Sequence, residues 1–432
     1  MTILIIGAGM AGLCAAVSAA ERRMRVVVLE ALEKPGGLTL ESEGFLSAVD
    51  PRRLRPTGLV DTHERFLEQT FAAGGRRGRR ELVESMAFES TSMLYWLETH
   101  GVEFDEELFM TGRSFFPRLH LPKNRSPKGY VEPLMREARR LGVEFHFQTP
   151  VVRVLREGRG LRVEARHAGR PVTWTSEHVI FATGTFAGDR KKLLLEDPRL
   201  AKTFVRPRET RYPTGLRLLE DLGAQSVHLA HTQRRMKPTA GTEIPTFWRN
   251  LANLIAVDEK GKRFLQEDLR EANFVEELLN RTSGKFFFIG SPNWMSTPED
   301  AAAAVPVEAL ARRLGLPPEA LRRTVERFNA DFTEGRPDAL GRRRETILGP
   351  FDAERMTGIP LVVETITTLG GILTTRHAEA LDREGNVMPG LYVAGDAAGG
   401  IHGRNAIAGN MLLSAAFFGR LAALTASSEL LG

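Results

Sequence analysis

The chain has 432 residues, 42% hydrophobic and 26% charged, with a formal net charge of +5. At roughly 150 residues per domain this length suggests two or three domains, and the apolar-to-charged balance excludes a disordered chain. The single cysteine, Cys14, excludes a disulfide framework, a CxxC redox pair and a cysteine-based zinc site, and no metal is expected. One free thiol fits a reducing cytoplasm, which is the expected location. No apolar run reaches about 18 residues, so no transmembrane segment is expected. The basic runs Arg76-Arg77-Gly78-Arg79-Arg80 and Arg342-Arg343-Arg344 lack interleaved aromatics. They read as solvated faces, and no nucleic-acid partner is expected.

Taken in chain order, Thr2–Ile6 is an apolar strand that opens without a basic n-region, which argues against a signal peptide. A helix is predicted over residues 10–23, where Leu13, Ala16, Val17 and Ala20 share one face. Residues 25–30 form a second buried strand, closing a β-turn-α-β unit of a doubly wound parallel sheet. Further strands are predicted at His178–Ala182 and Gly390–Ala394, each ending in a glycine-rich turn. Between about 233 and 367 the pattern turns irregular. Residues 251–257 and 262–265 flank Asp258-Glu259-Lys260-Gly261 as a hairpin, and amphipathic helices follow near 306–314 and 317–332. The fold class expected is α/β: a discontinuous Rossmann-like domain with an α+β capping domain inserted.

Gly7-Ala8-Gly9-Met10-Ala11-Gly12 has the GxGxxG spacing between a strand and a helix. Its first glycine permits the tight turn and its second lets the backbone approach a pyrophosphate. Its third lets helix and strand pack closely, with the diphosphate on the helix N-terminus. Glu30 closes the second strand, where its carboxylate can accept from ribose hydroxyls and would repel a 2′-phosphate. Two further turns, Ala182-Thr183-Gly184 and Ala394-Gly395-Asp396, lie at later strand ends. Three such turns on one sheet suit a long flavin dinucleotide better than a nicotinamide one.

Lys34-Pro35-Gly36-Gly37, Ala182-Thr183-Gly184, Gly370-Gly371, Pro389 to His402 and the tail from Gly409 to Ala422 together resemble the fumarate reductase/succinate dehydrogenase flavoprotein family. The resemblance spans nearly the whole chain. It implies an FAD domain of residues 1–232 and 368–432, with a capping domain at 233–367. It also implies cofactor contacts from Ala31, Gly36, Gly37, Leu38, Val152, Gly395 and Asp396. Gly409, Asn410, Met411 and Leu412 would begin a helix aimed at the flavin N1/O2 edge. Members with covalent flavin use a histidine after the paired glycines; residues 38–50 contain none, so FAD is expected to be non-covalent.

The family transfers a hydride between flavin N5 and a carbon near an activating carbonyl or carboxylate, while a capping-domain arginine supplies the proton. Lys262-Arg263-Phe264-Leu265-Gln266-Glu267-Asp268-Leu269-Arg270 matches that region with a gap one residue shorter, which makes Arg270 the catalytic candidate. The alternative for Arg270 is an ion pair with Glu267. His120, within Arg118-Leu119-His120-Leu121-Pro122, is either a flavin or substrate contact or a structural histidine. His402 is a site candidate beside the isoalloxazine, Arg249 a relay arginine, and Glu243 a substitute relay acid.

Three family positions that hold a dicarboxylate are changed here, to Lys237, Thr367 and Ala406. Lys237 remains able to pair with a carboxylate, and Arg404, two residues from the lost arginine, compensates only in part. The expected substrate is a small enoate or an enone such as a ketosteroid ring. Phe247, Trp248 and Phe286-Phe287-Phe288 either line an apolar pocket or fill the core. The electron donor, whether a quinol, a small flavin or a protein, is named by no motif. The competing expectations are a 3-ketosteroid dehydrogenase-like enzyme, a C–N oxidase, and a non-catalytic flavin carrier.

Overall fold

A computed structural model describes residues 2–111, 114–205, 214–239, 254–269, 271–292 and 303–431. The opening unit follows the expected order: strand β1 (Thr2–Ile6), helix α1 (Met10–Glu21) and strand β2 (Arg25–Leu29). Every residue of α1 but Glu21 is buried, so the helix is apolar and packed on all sides and not on one face alone. β3 (Glu144–His146) and β4 (His178–Phe181) extend the sheet, in which β1 pairs in parallel with both β2 and β4.

Four strands of a second sheet follow: β5 (Phe204–Val205), β6 (Thr232–Pro238), β7 (Leu254–Val257) and β8 (Lys285–Gly290). All gather around β9 (Thr357–Thr368), which pairs with β5, β6 and β8, while β7 pairs with β8. The first sheet is completed by β10 (Glu379–Leu381) and β11 (Val387–Val393), in the order β10-β11-β4-β1-β2-β3. β5 pairs with β9, so the chain enters the second sheet before residue 233.

Helices Val307–Leu314 and Pro318–Thr333 lie within a residue of the positions read from periodicity. The predicted strand at 262–265 does not form. Its contribution is a single bridge from Arg263 to Val257, because Arg263 turns to Glu267 and Asp338. Phe286 and Phe288 pack against Phe274 and Leu278 on one face of β8, while Phe287 joins the core on the other. They fill the core and line no pocket, as alternation in a sheet buried on both faces requires. Phe247 and Trp248 lie outside the described residues.

Two surface expectations are corrected. Arg342 is buried, donating to Glu267 at 3.2 Å and to the Leu254 carbonyl at 2.8 Å, so the run 342–344 is not simply a solvated face. Helix α2 (Asn410–Leu431) contains a stretch, Asn410–Leu430, long and apolar enough to cross a membrane by length and composition. That apolar character is spent on α1: a Cβ at Gly419 would sit 2.2 Å from the Ala11 carbonyl oxygen.

Candidate active site

A cavity crosses the carboxyl ends of β2, β1, β4 and β11, the edge where open α/β sheets bind ligands. On the β2–β3 side it is lined by Glu30, Ala31, Leu32 and residues 149–151; at the centre by Gly7, Gly9, Met10 and Ala11. On the β4–β11 side it is lined by Ala182, Thr183, Gly184, Gly395 and Asp396. Arg235, Glu364, Ile366 and Thr367 from the second sheet close it, together with Met411 and Leu412 at the start of α2.

The turn before α1 is built by close backbone approach. Gly7 has φ +106°, and a Cβ on Gly12 would lie 1.9 Å from the Gly7 carbonyl oxygen. Gly9 provides no side-chain cap for α1; instead Thr39 Oγ1 accepts from the Met10 amide at 3.0 Å. Glu30 is buried, its carboxylate accepting from the Ala8 amide at 2.7 Å and the Leu32 amide at 2.9 Å. Burial pushes its pKa up, opposed by the Leu32, Ala8 and Ala31 amides. Asp396 is pushed up to about 6 by burial, against a hydrogen bond from Thr367.

These features fit FAD. The helix terminus offers amides for a diphosphate, Glu30 stands where a ribose would lie, and the groove continues past Asp396 to α2. A Cβ at Gly184 or Gly37, both lining the groove, would meet nothing within 4 Å, so the protein itself leaves that space open.

The family model for the FAD binding domain matches residues 2–412. This chain belongs to the FAD binding domain family. Among relatives of this flavoprotein, the NADH:fumarate oxidoreductase of Klebsiella pneumoniae (strain 342) is 25% identical over 453 residues. They cover 100% of this chain and 48% of the relative, so the flavoprotein spans about half that relative's length. The acrylate reductase flavoprotein subunit of Shewanella woodyi is 26% identical over 440 residues, covering 93% of this chain and 86% of its own.

The open conformation of a flavocytochrome c3 fumarate reductase shares the fold of this flavoprotein with TM-score 0.86 and 22% identity, over 100% of this chain and 79% of that one. The 3-ketosteroid-Δ4-(5α)-dehydrogenase of Rhodococcus jostii RHA1 shares it with TM-score 0.80 and 24% identity, over 98% and 96%. At these identities the structures establish the fold alone.

Within the flavoprotein, most candidate cofactor residues line the cavity: Gly7, Gly9, Met10, Ala11, Glu30, Ala31, Gly37, Leu38, Ala182, Thr183, Gly184, Gly395, Asp396, Met411 and Leu412. Ala8, Gly12, Gly36, Gly409 and Asn410 stand one layer behind. The Gly36 amide donates to the Ala8 carbonyl, Gly409 accepts from the Ser47 amide, and Asn410 donates to Thr70 Oγ1. Val152 is exposed and Val151 faces the cavity instead, because the alternation of the strand Val151–Glu157 reverses the side one residue later.

The histidines are not at the cavity wall. His120 is fully buried, its Nδ1 against the carbonyls of Arg118 at 3.1 Å and Leu46 at 3.3 Å, its Nε2 3.5 Å from Asp50. Burial raises the Asp50 carboxyl, but His120, Arg53 and Arg52 outweigh it and hold it well below the usual range. His402 is buried with Nε2 3.0 Å from Ser414 Oγ. Ser414 donates to the Met411 carbonyl, so it accepts from His402, whose proton sits on Nε2. Burial lowers the His402 pKa to about 4, so it is neutral at pH 7 and secures the start of α2.

Arg404 is exposed beside Gly75, and Lys237 Nζ lies 4.9 Å over the Phe204 ring. Ala406 is buried, its amide donating to Gln233 Oε1. Arg270, Arg249 and Glu243 lie outside the described residues. Glu267, considered above as a partner for Arg270, accepts from Arg263, Arg342 and the Ala256 amide. Sequence reasoning missed Thr39, Arg235 and Glu364. For Thr39 a signal existed, since Gly9 cannot cap a helix with its side chain.

Proposed function

We propose that this FAD-dependent oxidoreductase reduces, or introduces, a C=C bond next to a carbonyl or carboxylate in a small enoate or enone. The observation that carries this reading is the cavity itself, which runs from Glu30 across the helix terminus to Ile366 and Thr367 of a second sheet. A substrate has polar walls there beyond the dinucleotide. The named activities of the relatives, on fumarate and on acrylate, support the same reaction type.

Bound FAD supplies hydride exchange at N5. Met411 and Leu412, at the N-terminus of α2, line the cavity, and the positive end of the helix dipole there would stabilise negative charge. Asp396 accepts from Thr367 and offers its remaining lone pairs to hydroxyl groups in the groove. Arg270 is proposed as the proton donor to the carbon beside the activated one, on the strength of its sequence context. Its neighbours are anchored: Glu267 is held by Arg263 and Arg342, and Asp268 by Arg343. FAD is proposed to be non-covalent because residues 38–50 contain no histidine.

The test is anaerobic. Photoreduced holoprotein is mixed with fumarate, urocanate, methacrylate, crotonate and steroid enones while the oxidised flavin band is followed. Rapid reoxidation by one class, slowed on the order of a hundredfold or more by Arg270→Ala, is the expected result. Reoxidation by none, with no reduction of the oxidised protein by the saturated counterparts, overturns the reading.

A further inference from the structure

We infer that Arg235 is the residue that grips the substrate, and that the substrate carries one carboxylate and not two. This rests on the reading of the cavity as a flavin site with substrate at its second-sheet end. Among the described residues lining the cavity, Arg235 is the one cationic side chain. It projects from β6 directly opposite Glu364 of β9, and its Nε donates to Glu364 Oε2 at 2.9 Å. The two Nη atoms donate to no described residue, and the side chain is 35% exposed while that of Glu364 is 1% exposed. A guanidinium held through Nε presents its paired Nη edge outward, the edge that takes a carboxylate by two parallel hydrogen bonds.

The rest of the second sheet leaves this role to Arg235. Lys237, two residues on and on the same face, rests on Phe204; Arg234, at the bulge, is turned to Glu276. Arg404 does not line the cavity. A diphosphate at α1 has no need of Arg235, since the N-terminus of α1 beside Gly9 serves it. The acids set the limit on charge. Glu364 pairs with Arg235, and Glu41 and Asp396 also face the cavity, so a second carboxylate would meet acids, with no second cation among the described residues of the lining to hold it.

The experiment titrates oxidised, FAD-loaded protein with butyrate, butyramide and succinate, following the perturbation of the flavin band. The proteins are wild type, Arg235→Ala, Arg235→Lys and Glu364→Gln. Butyrate is expected to bind wild type at least tenfold tighter than butyramide or succinate. Arg235→Ala should weaken butyrate by roughly ten- to a hundredfold with FAD content and FAD affinity unchanged, and Arg235→Lys should fall between. Glu364→Gln should narrow the gap between succinate and butyrate.

Unaltered butyrate binding in Arg235→Ala, loss of FAD by a folded Arg235→Ala, or succinate binding wild type as tightly as butyrate each overturns the inference. Should the Arg235 variants not fold, the wild-type ranking and Glu364→Gln still decide it. Binding through Arg235 without reoxidation by any enoate keeps this inference and discards the reductase. Reoxidation that Arg235→Ala leaves untouched does the reverse.

Discussion

Thr367 Oγ1 donates to Asp396 Oδ2 at 2.5 Å, joining the last residues of β9 in the second sheet to the turn that follows β11 in the first. The bond crosses from one sheet to the other at the cavity wall, at a position where the family pattern has a histidine. Its acceptor is the group whose ionisation the fold resists most plainly within the site.

Burial lifts Asp396 from 3.8 to about 6, so the folded chain holds that proton more tightly than the unfolded chain does. The resulting stabilisation is full below about pH 3.8 and is lost as pH rises through about 6. Asp396→Asn keeps an acceptor for Thr367 and removes the titration. FAD-stripped Asp396→Asn should therefore be more stable than wild type at pH 7.5, by an amount on the order of 3 kcal/mol at most, and the gain should shrink toward pH 5. Thermal melts of both proteins at the two pH values check this; an equal difference at both excludes Asp396 as its source.

Glu30 satisfies two backbone amides with two carboxylate oxygens. Glu30→Gln has one acceptor oxygen and must point its amide at either Ala8 N–H or Leu32 N–H, leaving a donor facing a donor. The expected cost is about 1–3 kcal/mol at the turn that carries the diphosphate. FAD affinity, measured by fluorescence titration of the stripped protein, should drop on the order of tenfold or more.

His120 acts on the site through the backbone. It pairs across Leu46, whose neighbour Ser47 donates to the Gly409 carbonyl just before α2. His120→Ala leaves Asp50 buried with Arg52, Arg53 and the Tyr95 hydroxyl but without its imidazole, and should cost about 2–4 kcal/mol in urea unfolding. Because His120 does not line the cavity, the reoxidation rate of the folded variant with its best substrate should stay within a few-fold of wild type. A large rate loss in a variant of unchanged stability would restore His120 to the chemistry.

What was legible in the sequence is local. Gly7, Gly9 and Gly12 announce themselves because a tight turn, an anion and a close helix crossing each demand the absence of a Cβ within six residues. Glu30 follows because strand ends are visible in apolar runs. Val152 missed the cavity by one residue, since alternation shows the period of a strand but not which face is inward. Arg235 and Glu364 were invisible for another reason. They meet across β6 and β9, 129 residues apart, and neither belongs to a motif. His402 was placed by its glycine-rich surroundings, but its ring turned inward to Ser414, a choice decided by packing against α2.

Gly12, behind the cavity, and Gly184, on its wall, separate two reasons for glycine. At Gly12 a methyl group would lie 1.9 Å from the Gly7 carbonyl oxygen and 2.9 Å from its carbon. Backbone cannot give way there without parting α1 from β1, so Gly12→Ala should yield no soluble FAD-binding protein. At Gly184 a methyl meets nothing within 4 Å, but φ is +75°. Gly184→Ala should fold with a loss of about 1–2 kcal/mol from the left-handed backbone. Its methyl enters space on the cavity wall, so FAD content should fall further than stability does. Comparing denaturant midpoints with flavin-to-protein ratios separates the two effects, and a Gly184→Ala protein that retains full flavin would show that the cofactor passes clear of that turn.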